Sequence, residues 1–340
     1  MLGYYTRDFR SGNVEAAVDY ITLICLDADL PGTMGKAQSL LCHEALRELV
    51  LETREFAKLL GDIHSDGTRL KGAIEQRLRL IGLADQEEFL RTVTLQAASV
   101  ADENGRTTDA VLLYHLAEDY DNVIAIINRA LSEAIAVELG QEQMRLQPLK
   151  PRTATQQPPN QQQQQIAGSS LSLTSVDDPA VLAKNMISVY NANALYYQKI
   201  RAMNRDACGV LLRMSDAKGL VAAGQWAEAL DTIDTLDLLP LHAHGSIPDI
   251  RAHVNAFNSL PQSISRNIGP LLMWAITCIG RQREVLMSGQ FEDGTRKAMS
   301  EELLQGATDL MVFVGLVRYR LGERVWDAVT RCGGDVGVYA

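Results

Sequence analysis

The chain has 340 residues, 46% of them hydrophobic and 22% charged, with a formal net charge of -10. That apolar content excludes wholesale disorder, and the length suffices for one large helical body or two domains of ordinary size. The negative balance disfavours direct binding of nucleic-acid backbones, and no dense Lys/Arg stripe offsets it.

The first eight residues, Met1 to Asp8, contain no apolar core of the kind a signal peptide needs. Gly12 to Val18 then reads G-x4-A-V, and the same G-x4-A-[VL] form returns at Gly105 to Val111 and Gly224 to Leu230. Glycine ends one helix or turn, a polar residue opens the next, and the small alanine lets a neighbouring helix approach closely. Helical-hairpin repeats use similar text, and the uneven spacing of the copies predicts an irregular stack rather than a regular array. Gly32-Thr33-Met34-Gly35-Lys36 superficially resembles a phosphate loop, but its spacing is wrong and no strand precedes it. It reads as a turn opening the helix that contains Ala37 and Leu40.

Cys42 and His43 are adjacent, so on a helix they point about 100° apart and do not face each other. His43 and His115 read as partly buried helix residues. His64 sits in a turn-like stretch whose Asp-His-Ser adjacency is not triad geometry. Glu87-Glu88 and Glu301-Glu302 read as solvated helix faces. Asp121 is a candidate cap for a helix carrying Ile124, Ile127, Leu131 and Ile135, spaced by three and four.

From Gln147 to Ser175 the composition changes to Gln, Pro and Ser with few large apolar residues. Such text cannot bury enough surface to offset chain entropy, which predicts a disordered linker. Asp178-Pro179 then supplies an N-cap and a proline at the first helical position, ahead of Leu182, Met186, Val189 and Tyr190. His242 and His244 form an HxH pair between Pro240 and Gly245, with Asp249 or His253 as the nearest third ligand. That spacing matches no metal motif, so it reads as a polar inter-helix loop. Met299, Leu303, Leu310, Val314, Val317 and Leu321 form one apolar row; Leu304, Ala307 and Met311 form a second, and Phe313 and Leu316 widen the coverage. A helix apolar on most sides is sandwiched between neighbours. The longest apolar runs, Pro270 to Ile279 and Leu310 to Val317, fall short of the roughly 20 residues of a membrane span, so any membrane association is indirect.

The five cysteines, Cys25, Cys42, Cys208, Cys278 and Cys332, form no close pair in sequence and suit free thiols in a reducing compartment. With no nucleophile, base, phosphate loop or metal set assembled, the sequence predicts neither catalysis nor a cofactor.

Several segments, in order, resemble one family. Leu116 to Asn128 carries LAEDYDNVIAIIN; Asp178 to Tyr190, Asn204 to Cys208, Trp226 to Ile233 and Leu236 to Leu241 follow; Phe291 to Arg296 continuing through Tyr319 to Leu321 is the nearest match. These resemble the Nic-type, ninety-three-kilodalton inner-ring scaffold nucleoporins. The resemblance implies an α-helical solenoid of the nuclear pore complex at the nuclear envelope, binding other nucleoporins and supporting nucleocytoplasmic transport. It implies as partner the linker nucleoporin with an RRM-like domain, whose short peptide docks on the solenoid. It also implies that the chain corresponds to a C-terminal portion, with the site for the channel coiled-coil trimer in an N-terminal region not represented here.

The expected fold is therefore all-α, an irregular α-helical solenoid of stacked antiparallel helix pairs. Residues 1–146 form one block, 147–175 the low-complexity linker, 176–330 a second block and 331–340 a tail. Phe313, Tyr319 and Trp326 are the candidate partner-binding anchors, although inter-helix core is the competing assignment for each, as for Met273 and Trp274. Two other functions share parts of this physics: a vesicle-coat or trafficking solenoid, and a helical metal-dependent hydrolase built around His242 and His244.

Overall fold

The computed structural model describes residues 12–28, 33–63, 69–147, 176–288, 294–317, 319 and 321–334. Apart from Gln147, the glutamine-rich stretch lies outside the described residues, as do His64 and the residues beyond 334. Among the described residues the chain is all-α but for one two-stranded ribbon, and no helix is long and apolar enough to cross a membrane. Contacts divide it into two units, Met1–Ile127 with Arg145–Ile200, and Asn128–Met144 with Arg201–Ala340.

The first unit contains α1 (Val14–Thr22), α2 (Thr33–Thr53), α3 (Phe56–Leu60), α4 (Gln86–Phe89), α5 (Leu95–Glu103), α6 (Thr107–Leu116), the first half of α7 (Tyr120–Ala136), α8 (Pro179–Ala192) and α9 (Ala194–Gln198). The repeat signature does its work at the α5–α6 turn. Gly105 takes a left-handed φ of 70°, and the Arg106 N–H closes onto the Ala101 carbonyl at 2.9 Å. Ala110 is fully buried, as the close approach of a neighbour requires. At the first copy Asn13 caps α1, accepting from the Ala16 N–H at 3.0 Å. The polar residues of the other copies, Arg106 and Gln225, make no such side-chain cap. α6 is buried on nearly every side, from Thr108 through Leu113 and again at His115 and Leu116.

Two glycines build the ribbon, an element with no alternating signal in the sequence. β1 (Gly61–Ile63) pairs antiparallel with β2 (Arg69–Lys71), Gly61 opposite Lys71. Gly61 has φ 97°, and a Cβ there would lie 2.0 Å from the Leu70 carbonyl oxygen; one on Gly72 would lie 2.4 Å from that of Leu59. The cap of α7 also differs from expectation. The helix starts at Tyr120, so Asp119 occupies the cap and accepts from the Asn122 N–H at 3.2 Å, while Asp121 lies in the first turn. The Asp178 cap forms as expected, accepting from the Ala180 N–H at 2.7 Å with Pro179 behind it.

The second unit contains the rest of α7 with α10 (Ala202–Ala222), α11 (Trp226–Asp234), α12 (Ile247–Asn258), α13 (Gln262–Ser265), α14 (Ile268–Met287), α15 (Gly294–Leu316) and α16 (Glu323–Gly334). Gly224, with φ 75°, turns α10 into α11, and Ala229 is fully buried behind it. α14 lies against α11, α15 and α16. It therefore buries Leu271, Leu272, Trp274, Ala275, Ile276, Cys278 and Ile279, so Trp274 is core. α15 buries Ala307, Leu310, Phe313 and Val314, but Met299 is half exposed and the helix ends at Leu316, leaving Leu321 outside the predicted row. Polar groups tie the unit together over long sequence separations. Asn267 donates to the Ser132 hydroxyl at 2.8 Å, and that hydroxyl donates to the Ser263 carbonyl at 2.7 Å. Lys218 donates to the Ala134 and Val137 carbonyls at the end of α7, at 2.7 and 2.6 Å, where a cation meets the negative end of the helix dipole.

Candidate functional site

The groups a catalyst would use are largely committed to packing. His43 Nε2 lies 2.7 Å from the Ile81 carbonyl oxygen. His115 is buried against Tyr190, its Nδ1 3.1 Å from the hydroxyl, and burial holds its pKa down at about 4. Tyr120 and Tyr196 complete this aromatic cluster, their ring centroids 4.6 Å apart. The Cys42 thiol donates to the Ile21 carbonyl at 3.6 Å, and burial raises its pKa well above the usual thiol range. Burial also pushes Cys208 up to about 12 and Cys278 up to about 11. Such thiols carry almost no thiolate at neutral pH, and the thiolate is the nucleophile.

The anchor candidates separate. Phe313 is fully buried and sits edge-on to Phe257, ring centroids 6.3 Å apart, so it belongs to the core of the second unit and is not an exposed anchor. Tyr319 meets Phe257 at 5.7 Å but is 38% exposed, and Trp326 on α16 is 40% exposed. These two present aromatic surface with a polar handle, the chemistry most used at protein interfaces.

A concave feature in the second unit brings several polar side chains together. A cavity of about 260 Å³ has Leu230, Leu241, Ile279 and Leu303 along its walls. At its rim stand Asp234, His242 and Glu302, contributed by α11, the α11–α12 loop and α15. His242 Nε2 lies 3.4 Å from an Asp234 oxygen, and its Nδ1 lies 3.9 Å from a Glu302 oxygen. His244, two residues on, places its ring centroid 6.1 Å from that of His242. One donor atom each from His242, His244 and Glu302 fall within 4.8 Å of one another. The third member is thus Glu302, which the sequence assigns to a solvated face. His253 instead lies 3.2 Å from Asp237, and its other nitrogen faces the carbonyl of Asp249 at 3.0 Å. A separation of 58 to 60 residues between the HxH pair and Glu302 leaves no local signal from which to predict the meeting.

Comparison with known proteins gives a consistent answer. The family model described as Nup93/Nic96 matches residues 1–328. The nucleoporin NIC96 of Chaetomium thermophilum is 53% identical over 337 residues, covering 98% of this chain and 30% of the relative. That of Saccharomyces cerevisiae is 34% identical over 329 residues, covering 97% and 35%. The nuclear pore complex protein Nup93 of Xenopus tropicalis is 25% identical, covering 94% and 33%. The chain therefore spans about a third of the length of these relatives. Among solved structures, the crystal structure of Chaetomium thermophilum Nic96 SOL superposes with a TM-score of 0.84 at 53% identity, over 97% of this chain and 46% of that one.

Proposed function

The chain belongs to the Nup93/Nic96 family, and from that premise we propose that it is a structural constituent of the nuclear pore complex. In this reading it is a helical scaffold segment at the nuclear envelope that binds other nucleoporins and thereby supports transport between nucleus and cytoplasm. The observation that carries the reading is the family match running through 328 of its residues, in both units, with relatives named as nucleoporins. The physics agrees with a scaffold: α6 is buried on most sides and α14 over its first three turns, so their apolar residues are spent on helix-on-helix packing.

The partner we assign is the linker nucleoporin with an RRM-like domain, engaged through a short peptide laid along helices of the second unit. Tyr319 and Trp326, exposed on that unit, are the proposed aromatic contacts, Tyr319 resting edge-on against Phe257, which in turn meets buried Phe313. No catalytic step is assigned, in keeping with the buried, protonated thiols. The test is calorimetric titration of the purified chain with the purified linker nucleoporin of the same organism. Saturable binding weakened by Trp326→Ala supports the assignment. Absence of binding removes this partner, and undiminished binding by the variant removes this surface.

A further inference from the structure

The loop between α11 and α12 is fixed onto α15 by unusually specific means. His244 and Gly245 both adopt left-handed backbone, φ 47° and 79°, and a left-handed non-glycine residue persists only where surrounding contacts impose it. The contact that imposes it is Asp309, a carboxylate only 1% exposed on α15. Both its oxygens accept from the Gly245 N–H at 3.1 Å, and the Gln305 side-chain amide donates to it at 2.9 Å. One turn earlier, the Leu241 carbonyl oxygen passes so close to α15 that a Cβ on Gly306 would sit 3.1 Å from it. Glu302 lies four residues before Gly306 and seven before Asp309, so it shares their stripe of the helix. The docking of the loop therefore determines where His242 and His244 stand over Glu302.

From this geometry we propose that His242, His244 and Glu302 form a binding site for a divalent transition metal, with zinc as the best-fitting ion. Two imidazoles and one carboxylate are a known three-ligand zinc set that leaves a fourth position for water or another donor. Magnesium and calcium prefer oxygen-only shells, so they fit this set poorly. Zinc bonds of about 2.0–2.2 Å place neighbouring tetrahedral ligands roughly 3.4 Å apart. The three donor atoms already lie within 4.8 Å of one another, and rotation of solvent-facing side chains closes the difference. Asp234 supplies what a bare cluster lacks. Glu302 faces one nitrogen of His242 at 3.9 Å while Asp234 faces the other at 3.4 Å. A carboxylate accepting the remaining N–H of a metal-bound imidazole fixes its tautomer and ring orientation. The site joins α11, the loop and α15, so the ion would staple three elements of the second unit. It stands apart from the scaffold reading and requires no catalysis.

The test is calorimetric titration of the chelator-treated full chain with zinc chloride, paired with cobalt absorption spectroscopy. One zinc per chain and a tetrahedral cobalt spectrum without thiolate charge-transfer bands are expected. His242→Ala/His244→Ala and, independently, Glu302→Gln should each lower affinity by more than about a hundredfold. Asp234→Asn should lower it less than either, since orienting partners contribute roughly 10–100-fold and direct ligands more. All four side chains lie at the surface, and unchanged helical circular dichroism would show that the variants fold. No zinc uptake, uptake undiminished in the double variant, or a cobalt–thiolate band would each overturn the proposal.

Discussion

Asp109 in the first unit and Asp309 in the second are both buried carboxylates on long-range duty, yet they are held by different chemistry. Asp109 is fully buried between two guanidinium groups, Arg54 with Nε at 3.1 Å and Arg106. Nearby, Glu75 is similarly buried and meets Arg69 at 3.1 Å, whose guanidinium also donates to the Leu60 and Leu116 carbonyls. Asp309 is held by neutral donors, one backbone N–H and one amide. The Asn267–Ser132–Ser263 chain in the same unit is neutral too. A buried charge facing a cation becomes costly when the partner is lost, whereas a group held by neutral donors loses only hydrogen bonds. The first unit should therefore be the more sensitive of the two to loss of a charged partner, and it also holds the buried His115, whose lowered pKa links it to acid.

The widest separation is expected from Asp109→Ala. It leaves two guanidinium groups facing each other without their shared anion, and should cost about 3–5 kcal/mol. Hydrogen exchange read by mass spectrometry should show lost protection in α2 and α6, with α14 and α15 unaffected. Equal loss in both units would break the contrast.

Acid comes next. Burial holds His115 at about 4 in the fold, while an unfolded chain takes up that proton near 6.5. The unfolded state binds more protons in this window, so stability is full above pH 6.5 and falls as pH drops towards 4, by up to about 3 kcal/mol. His115→Gln should flatten that slope in denaturant titrations between pH 6.5 and 4, and an unchanged slope would assign it to other groups.

Asp309→Ala should cost less, about 1–3 kcal/mol, because it orphans an N–H and an amide rather than a charge. Its distinctive effect is local: exchange at Gly245 should accelerate while α10 stays protected. Smallest for stability, within about 0.5 kcal/mol, is Trp326→Ala, whose ring is 40% exposed. Its effect belongs instead in partner affinity, where loss of an interfacial tryptophan is worth about 2 kcal/mol or more. A large stability loss from this change would make Trp326 a core residue.

The same contrast explains what could be read from the residues alone. Short-range signals translate directly: Asp178-Pro179 opens α8, and the glycines of two of the three repeat copies, Gly105 and Gly224, take left-handed turns. The three-and-four spacing of Ile124, Ile127, Leu131 and Ile135 marks the buried face of α7. Caps shift by a residue or two because Asp119 and Asp121 both satisfy the local pattern; the helix starts at Tyr120, and Asp119 takes the cap. Long-range polar meetings leave no such trace. Asp309 belongs to neither apolar row of α15 and carries no local sign of burial; its partner lies 64 residues away. Glu302 reads as one more solvated acid until the loop brings His242 over it. Met299 shows the converse: it fits the helical row by spacing, yet it is half exposed and lines the cavity.

The central claim, a nuclear pore scaffold, is tested most directly by capture from a living cell. The tagged chain is expressed in a fungus, stabilised by brief crosslinking, recovered, and its bound proteins identified by mass spectrometry. The account predicts a set dominated by inner-ring nucleoporins, including the one with an RRM-like domain. Recovery of vesicle-coat subunits, or of no nucleoporin, would contradict it.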